Sequence, residues 1–455
     1  MSNTGTTSEP DPRAVCMDVV RVLEGFVIEK RSATLDGSVP LRAAQGCKPF
    51  LDGNAAGFHL RCQDPAVIRA GNEEGTLQLT DDAFGQITGD YSAKIQYLAE
   101  QGILRRNGYW HKQLKKGFAW KKNSILFLWT GYLVRPAPGV WILVSGAYNR
   151  RCLVDLIEYI ISDSESLTPL VLQLDLNSLR ERVTWLDTEL ACLMPLRPNL
   201  RFSITSIEKE PRAGRAYLDF FDPEYFNLRE EGRYTGRYRK HTAGEVNLEA
   251  DEKAECRLIL AGGPKLHRIG TFGRFATSDG FCRKHKTKNH LEFAEVRNIC
   301  DVKGRWDGSR MRAVADMPDE AGRMRKDWSK LYGAEALPKI EYWLQYLIGI
   351  SGPYREPFLG IAPWALVATP PGWSSITDSF SIDGADGMRG VISTDSFFGL
   401  DFVWQFHKLG TFKMSRGVPL ARILPVPRRL LESSFRELPL CGPTTHRRAF
   451  ADNAS

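Results

Sequence analysis

Long uncharged apolar runs are missing from this chain of 455 residues. The longest, SILFLWTGYLV (Ser124–Val134), is 11 residues, against the roughly 18 that a membrane-crossing helix needs. No membrane partner is expected. CxxC pairs are also missing: the nine cysteines lie singly at 16, 47, 62, 152, 192, 256, 282, 300 and 441. Their odd number and wide scatter argue against a disulfide framework, so reduced thiols and a cytoplasmic location are expected. Residues 1–13, MSNTGTTSEPDPR, contain no apolar h-region and read as a disordered lead. Walker A, GxGxxG, HExxH and GxSxG patterns are absent too. That excludes enzymes built on a P-loop, a Rossmann cofactor site, a zincin helix or a serine elbow.

What is present is the composition of an ordinary globular protein. Hydrophobic residues make up 43%, charged residues 25%, and 61 Lys and Arg face 54 Asp and Glu for a net charge of +7. At about 150 residues per domain, the length fits two to four domains. The charge is unevenly placed. Between Arg229 and Lys330 stand 23 Lys and Arg against 16 Asp and Glu, which equals the excess of the whole chain. Four of the eight histidines, His241, His267, His285 and His290, lie there as well. The segment reads as a basic connecting region, with a docking face for an anionic partner such as nucleic acid as the less favoured alternative.

The chain also repeats itself. LVRPAPG (Leu133–Gly139) matches LVATPPG (Leu366–Gly372), and IISDS (Ile160–Ser164) matches VISTDS (Val391–Ser396). VLQL (Val171–Leu174) matches VWQF (Val403–Phe406), and LACLMPL (Leu190–Leu196) matches LARILPV (Leu420–Val426). Four blocks in one order, at nearly one offset, point to two copies of one module at about 124–200 and 358–430.

Each copy is rich in Val, Ile, Phe and Trp between Gly- and Pro-containing turns, the pattern of β-strands. Helical spacing appears at Ser92–Leu104 and Lys339–Ile350. LIEYIISDSESL could be helical by periodicity, but the repeat assigns it to strand. The expected class is α+β, mainly β: two related modules with accessory helices. The expected boundaries are a first half over 14–228, the basic region over 229–330, and the second module with its tail over 331–455.

The second module's blocks TPPGW (Thr369–Trp373), RGVISTD (Arg389–Asp395) and SRGVPLARILPVP (Ser415–Pro427) resemble the dUTPase and dCTP-deaminase superfamily. That resemblance implies a β-clip fold, a nucleotide-like ligand and assembly into oligomers. The TPPGW and RGVISTD pieces also look like those of bacterial proteins to which no activity is assigned. Two departures bear on chemistry. TDSFSIDG (Thr377–Gly384) stands where the superfamily has its phosphate-binding Arg-Ser-Ser segment, and Ser393 stands at the catalytic aspartate. Without that Arg and Asp there is neither a clamp for the phosphate nor a base for water, so the resemblance implies the fold and not dUTP hydrolysis.

The acidic loop of the second module supplies the best candidates. Asp378, Asp383, Asp386 and Asp395 crowd one short stretch, flanked by Trp373 and Trp404. Aromatic walls with a few polar groups are what small-molecule pockets contain. Asp395, matched by Asp163 in the first module, is the candidate catalytic carboxylate. Trp373, Asp378, Asp383, Trp404 and Asn149 are the candidate substrate-binding residues. The competing reading is that the Asp residues make turns and the Trp residues fill core. In the basic region, Cys282, His285, His290 and Cys300 are of the right type for a divalent metal such as zinc, although the intervening lysines would repel a cation. Three function classes follow: a small-molecule-binding protein, as an enzyme or otherwise, with its site in the second module or between modules; a non-catalytic oligomeric scaffold; and a nucleic-acid binder acting through 229–330.

Overall fold

The computed structural model describes residues 15–30, 48–63, 66–69, 76–79, 81–147, 155–178, 183–185, 188–220, 255–283, 290–316, 319–345, 348–350, 357–400 and 402–440. Strands dominate and helices are few, in keeping with a mainly-β α+β class. The expected helix at Ser92–Leu104 is the end of a longer one, Asp81–Glu100. Gly102, at φ +70°, lies in the turn that follows it. The second expected helix runs over Leu337–Gln345 and stops short. Ile348–Ile350 is instead a strand, paired with Phe358–Ile361. Two β-branched residues around a glycine suit a pleated sheet better than a helix end.

The strands that carry the sequence repeat pair in the same order in both places. Trp141–Gly146 lies between Tyr159–Ile161 and Thr188–Leu196, and the sheet continues to Phe58–Cys62 and Phe26–Lys30. Trp373–Ser379 lies between Arg389–Ile392 and Pro419–Pro427, and the sheet continues to Glu292–Arg297 and Arg268–Thr271. Register agrees as well as order. Ile160 faces Leu143 and Tyr159 faces Val144; Ile392 faces Ser375 and Val391 faces Ile376, all four displaced by one constant offset. The pairing skips Leu190 in one sheet and Leu420 in the other, so even the bulge falls on matched leucines.

The two halves exchange strands reciprocally. Val15–Arg21 pairs antiparallel with Ile125–Pro136 of its own half and parallel with Ser434–Leu438 near the far end of the chain. Glu255–Leu260 pairs antiparallel with Ala365–Ala368 and parallel with Arg201–Ser206, which follows the first module. The strand that follows each module therefore completes the other half. Buried side chains from both sheets, Trp141 and Trp373 among them, belong to one continuous core.

The segment expected to be a connector is not one over its described part. Residues 255–283 and 290–316 form seven strands, and Cys256, Leu258 and Ile259 are fully buried. The reason is period two: in ECRLIL the exposed Glu255 and Arg257 alternate with the buried Cys256 and Leu258. Alternation of that kind hides a strand inside a charge-rich sequence. The rest of the basic region that lies outside the described residues is 229–254, 284–289 and 317–318, and residues 1–13 lie outside them too.

Candidate functional site

Asp395 follows the Arg389–Ile392 strand and turns back toward the Pro370–Pro371–Gly372 turn. Its Oδ2 accepts from the Gly372 N–H at 3.0 Å. Both of its oxygens also accept from the Arg428 guanidinium, at 2.9 Å for Oδ1. Arg428 donates in addition to the Trp373 carbonyl at 2.9 Å, and its own N–H donates to the Gly372 carbonyl at 2.9 Å. The side chains of Asp395 and Arg428 are 11% and 15% exposed. A bidentate pair of this kind fixes a turn against the start of the short Arg428–Leu431 helix. Asp163, at the matched place in the first module, ties a different turn: it accepts from the N–H groups of Glu165 and Ser166 and from Ser278.

The other candidates do not converge on Asp395. Asp378 sits five residues beyond Trp373 on the same strand, about 17 Å away at the usual rise. There it is buried in an ion network. Arg422 Nε donates to it at 2.7 Å, and Arg389 NH2 lies 3.5 Å from it. The Arg422 guanidinium also reaches Glu158 with both terminal nitrogens and lies 5.5 Å from the Phe272 ring centre. Trp373 is buried, and Trp404 is fully buried with its indole N–H donating to the Phe380 carbonyl at 2.7 Å. Asp383 is exposed and faces Lys408 at 3.2 Å. Asp386 faces His407 at 3.5 Å. Asn149 lies outside the described residues. The acidic loop expected to line one pocket is thus divided between a turn tie, a buried salt-bridge network and the surface.

The proposed metal ligands are not gathered either. Among the described residues no group of three His, Cys, Asp or Glu could hold a metal ion. Cys282 faces Phe275 across a strand pair, and His290 lies 3.9 Å from Glu292. Cys300 is buried beside Asp301 and Asp316. Burial, with those carboxylates adding to it, pushes the Cys300 thiol up to about 11, which disfavours the thiolate a metal requires. His285 lies outside the described residues. The six described cysteines are all free thiols.

Sequence reasoning missed the arginines that hold this region. Arg422 stands in the middle of the apolar run LARILPV, and Arg389 is fully buried. A charged residue inside an apolar strand is a readable signal, because it must find a partner there. It also missed a buried polar cluster between the halves. The Lys48–Ala55 helix packs on the Arg389–Ile392 strand so closely that a Cβ on Gly53 would lie 2.7 Å from the Arg389 carbonyl. In that neighbourhood Arg389 NH1 lies 4.0 Å from Cys192 Sγ. His59, opposite Cys192 in register, lies 3.4 Å from Glu189. Asn54 is fully buried with neither amide atom hydrogen-bonded.

No helix among the described residues is long and apolar enough to cross a membrane. No family model matches the chain, and no curated protein matches it. Among solved structures it is similar to 2'-deoxycytidine 5'-triphosphate deaminase from Agrobacterium tumefaciens, at 10% identity over 88% of this chain and 93% of that one. The TM-score is 0.22, a fit too loose to carry an argument.

Proposed function

We propose that this chain is a non-catalytic interaction protein. In this reading, two β-clip-like modules arose from one by duplication and were braced into a single body by the reciprocal strand exchange. The observation that supports it is the state of Asp395. Its oxygens accept one hydrogen bond from a backbone N–H and two from Arg428, an arrangement that suits a turn tie better than a base waiting for water. A general base needs a free lone pair within reach of a substrate proton. The matched Asp163 also ties a turn, through backbone N–H groups and Ser278 and without an arginine.

A second reading keeps a small-molecule site between the modules, and the buried cluster at Asn54 and His59 favours it. Fully buried polar groups without hydrogen bonds call for a water or a ligand. Native mass spectrometry of the purified full chain separates the two readings. The interaction protein is expected at 51.3 kDa, or at a multiple of that mass, with nothing added. A metabolite or metal carried in fixed ratio would overturn it in favour of the second reading.

A further inference from the structure

The strand Val302–Trp306 is the centre of a separate three-stranded sheet, flanked by Met311–Ala315 and Gly410–Met414. Its buried face is apolar: Val302, Trp306, Met311 and Met414 point inward. Its outward face is cationic. Lys303 stands directly opposite Lys413, and Arg305 directly opposite Arg312. All four are exposed, and none forms an ion pair among the described residues. Asp307 attracts Arg312, but its carboxylate also accepts from the N–H groups of Ser309 and Arg310 in the hairpin turn; Asp301 and Asp316 stand just beyond the other end of the same two strands.

Like charges placed directly across strands destabilise a sheet. Two such pairs side by side are a cost that an anionic partner would remove. The outward positions carry no aromatic ring. Phe412 is turned to the other face, where it covers Gly304. Single-stranded nucleic acid is held largely by stacking on exposed aromatic rings, and this face has none to offer. Two positions along a strand are about 6.8 Å apart and neighbouring strands about 4.8 Å. The four cations therefore make a compact grid suited to phosphates and indifferent to bases.

We propose that this face is a docking surface for duplex nucleic acid, bound through its phosphate backbone without sequence preference. The inference deepens the interaction-protein reading and rests on it. Val314 and Leu409, 70% and 63% exposed, lie on the same small sheet and beside its hairpin. They would also suit an anionic membrane surface, which the test must separate from a duplex.

The test is fluorescence anisotropy of the full chain with a short mixed-sequence DNA duplex across a salt series. Four phosphate contacts predict a slope of log K on log salt of about −3.6, a loss of roughly a hundredfold between about 50 and 200 mM salt. Lys303→Ala with Arg305→Ala should halve the slope and cut the loss to roughly tenfold, with an unchanged or higher melting temperature. If that pair perturbs the sheet, Lys413→Gln on the flanking strand should lower the slope by about one on its own. Duplex binding that neither change weakens, or an absence of duplex binding at low salt, overturns the proposal. So does co-sedimentation with phosphatidylserine vesicles that needs Lys303 and Arg305 while the duplex is ignored. A chain that binds duplex and also carries a stoichiometric metabolite would leave the docking face standing while the non-catalytic reading fails.

Discussion

Asp18 lies between two arginines at the strand exchange: Arg135 reaches its Oδ2 at 3.2 Å from one neighbouring strand, and Arg436 its Oδ1 at 2.8 Å from the other. Both arginines face Asp18 directly in register. In the other exchange, Leu258 lies between Val367 and Ile204 in register. One exchange is clamped by charge and its counterpart by apolar contact. Asp18→Asn should leave Arg135, whose charged form burial already disfavours, without its counter-charge. A loss of about 3–5 kcal/mol is expected. Asp18→Leu with Arg135→Val, which copies the apolar exchange, should recover most of that loss. Urea unfolding of the three variants checks it, and a double variant no better than Asp18→Asn would defeat the comparison.

The Asp395 turn tie makes a different prediction. Asp395→Asn keeps the shape and removes the charge that holds Arg428. Stability should fall by about 1.5–3 kcal/mol, the range for hydrogen bonds to charged groups. The melting temperature should drop without any change in duplex binding. A variant that melts like the parent would show that the pair does not hold the turn.

The repeat made it legible that the two segments share a β-strand pattern, and matched residues such as Ile160 and Ile392 occupy matched register positions. The strand assignment of Tyr159–Ile161 was legible in the same way. The exchange was not. Nothing in the local pattern of Val15–Arg21 names a partner near the other end of the chain, since strand pairing is chosen by the whole fold and not by propensity. The acidic loop misled for a related reason. Asp378 and Asp395 are close in sequence, but an extended strand carries them to opposite ends of a sheet, and each meets an arginine that sequence spacing does not reveal. The basic segment was legible as charge and not as strand, because outward Lys and Arg dominated the count.

His267 should give the protein a pH dependence. Its Nδ1 accepts from the Arg297 N–H at 3.1 Å, which leaves Nε2–H to donate to the Pro363 carbonyl at 3.3 Å. Protonation would set a second N–H against the Arg297 donor, and burial opposes the charge, pulling the pKa from 6.5 down to about 4. The unfolded chain therefore binds the proton first. Stability from this group is complete above about pH 6.5 and is lost as pH falls toward 4, by at most about 3 kcal/mol. His267→Gln, which cannot titrate, should be less sensitive to pH across that window. Parallel unfolding curves at pH 7 and pH 4.5 would show the difference, and identical pH profiles would refute it.

Gly304 decides whether the cationic face is presented at all. It sits at the centre of the three-stranded sheet, opposite Ala313 and Phe412. A Cβ there would lie 2.3 Å from the Phe412 ring and 2.6 Å from the Arg312 carbonyl. The ring could tilt, but the carbonyl belongs to the neighbouring strand and cannot move without breaking its pairing. Gly304→Ala should therefore cost about 1–3 kcal/mol by overpacking, although alanine has the better strand entropy. The strain falls on the strand that carries Arg312, so duplex binding should weaken along with stability. Lys303→Ala, one residue away but pointing outward, should weaken binding and spare stability. Hydrogen exchange of the Val302–Trp306 amides separates the two: faster in Gly304→Ala, unchanged in Lys303→Ala. Equal protection in both variants would mean that the sheet yields at Gly304 more easily than its contacts allow.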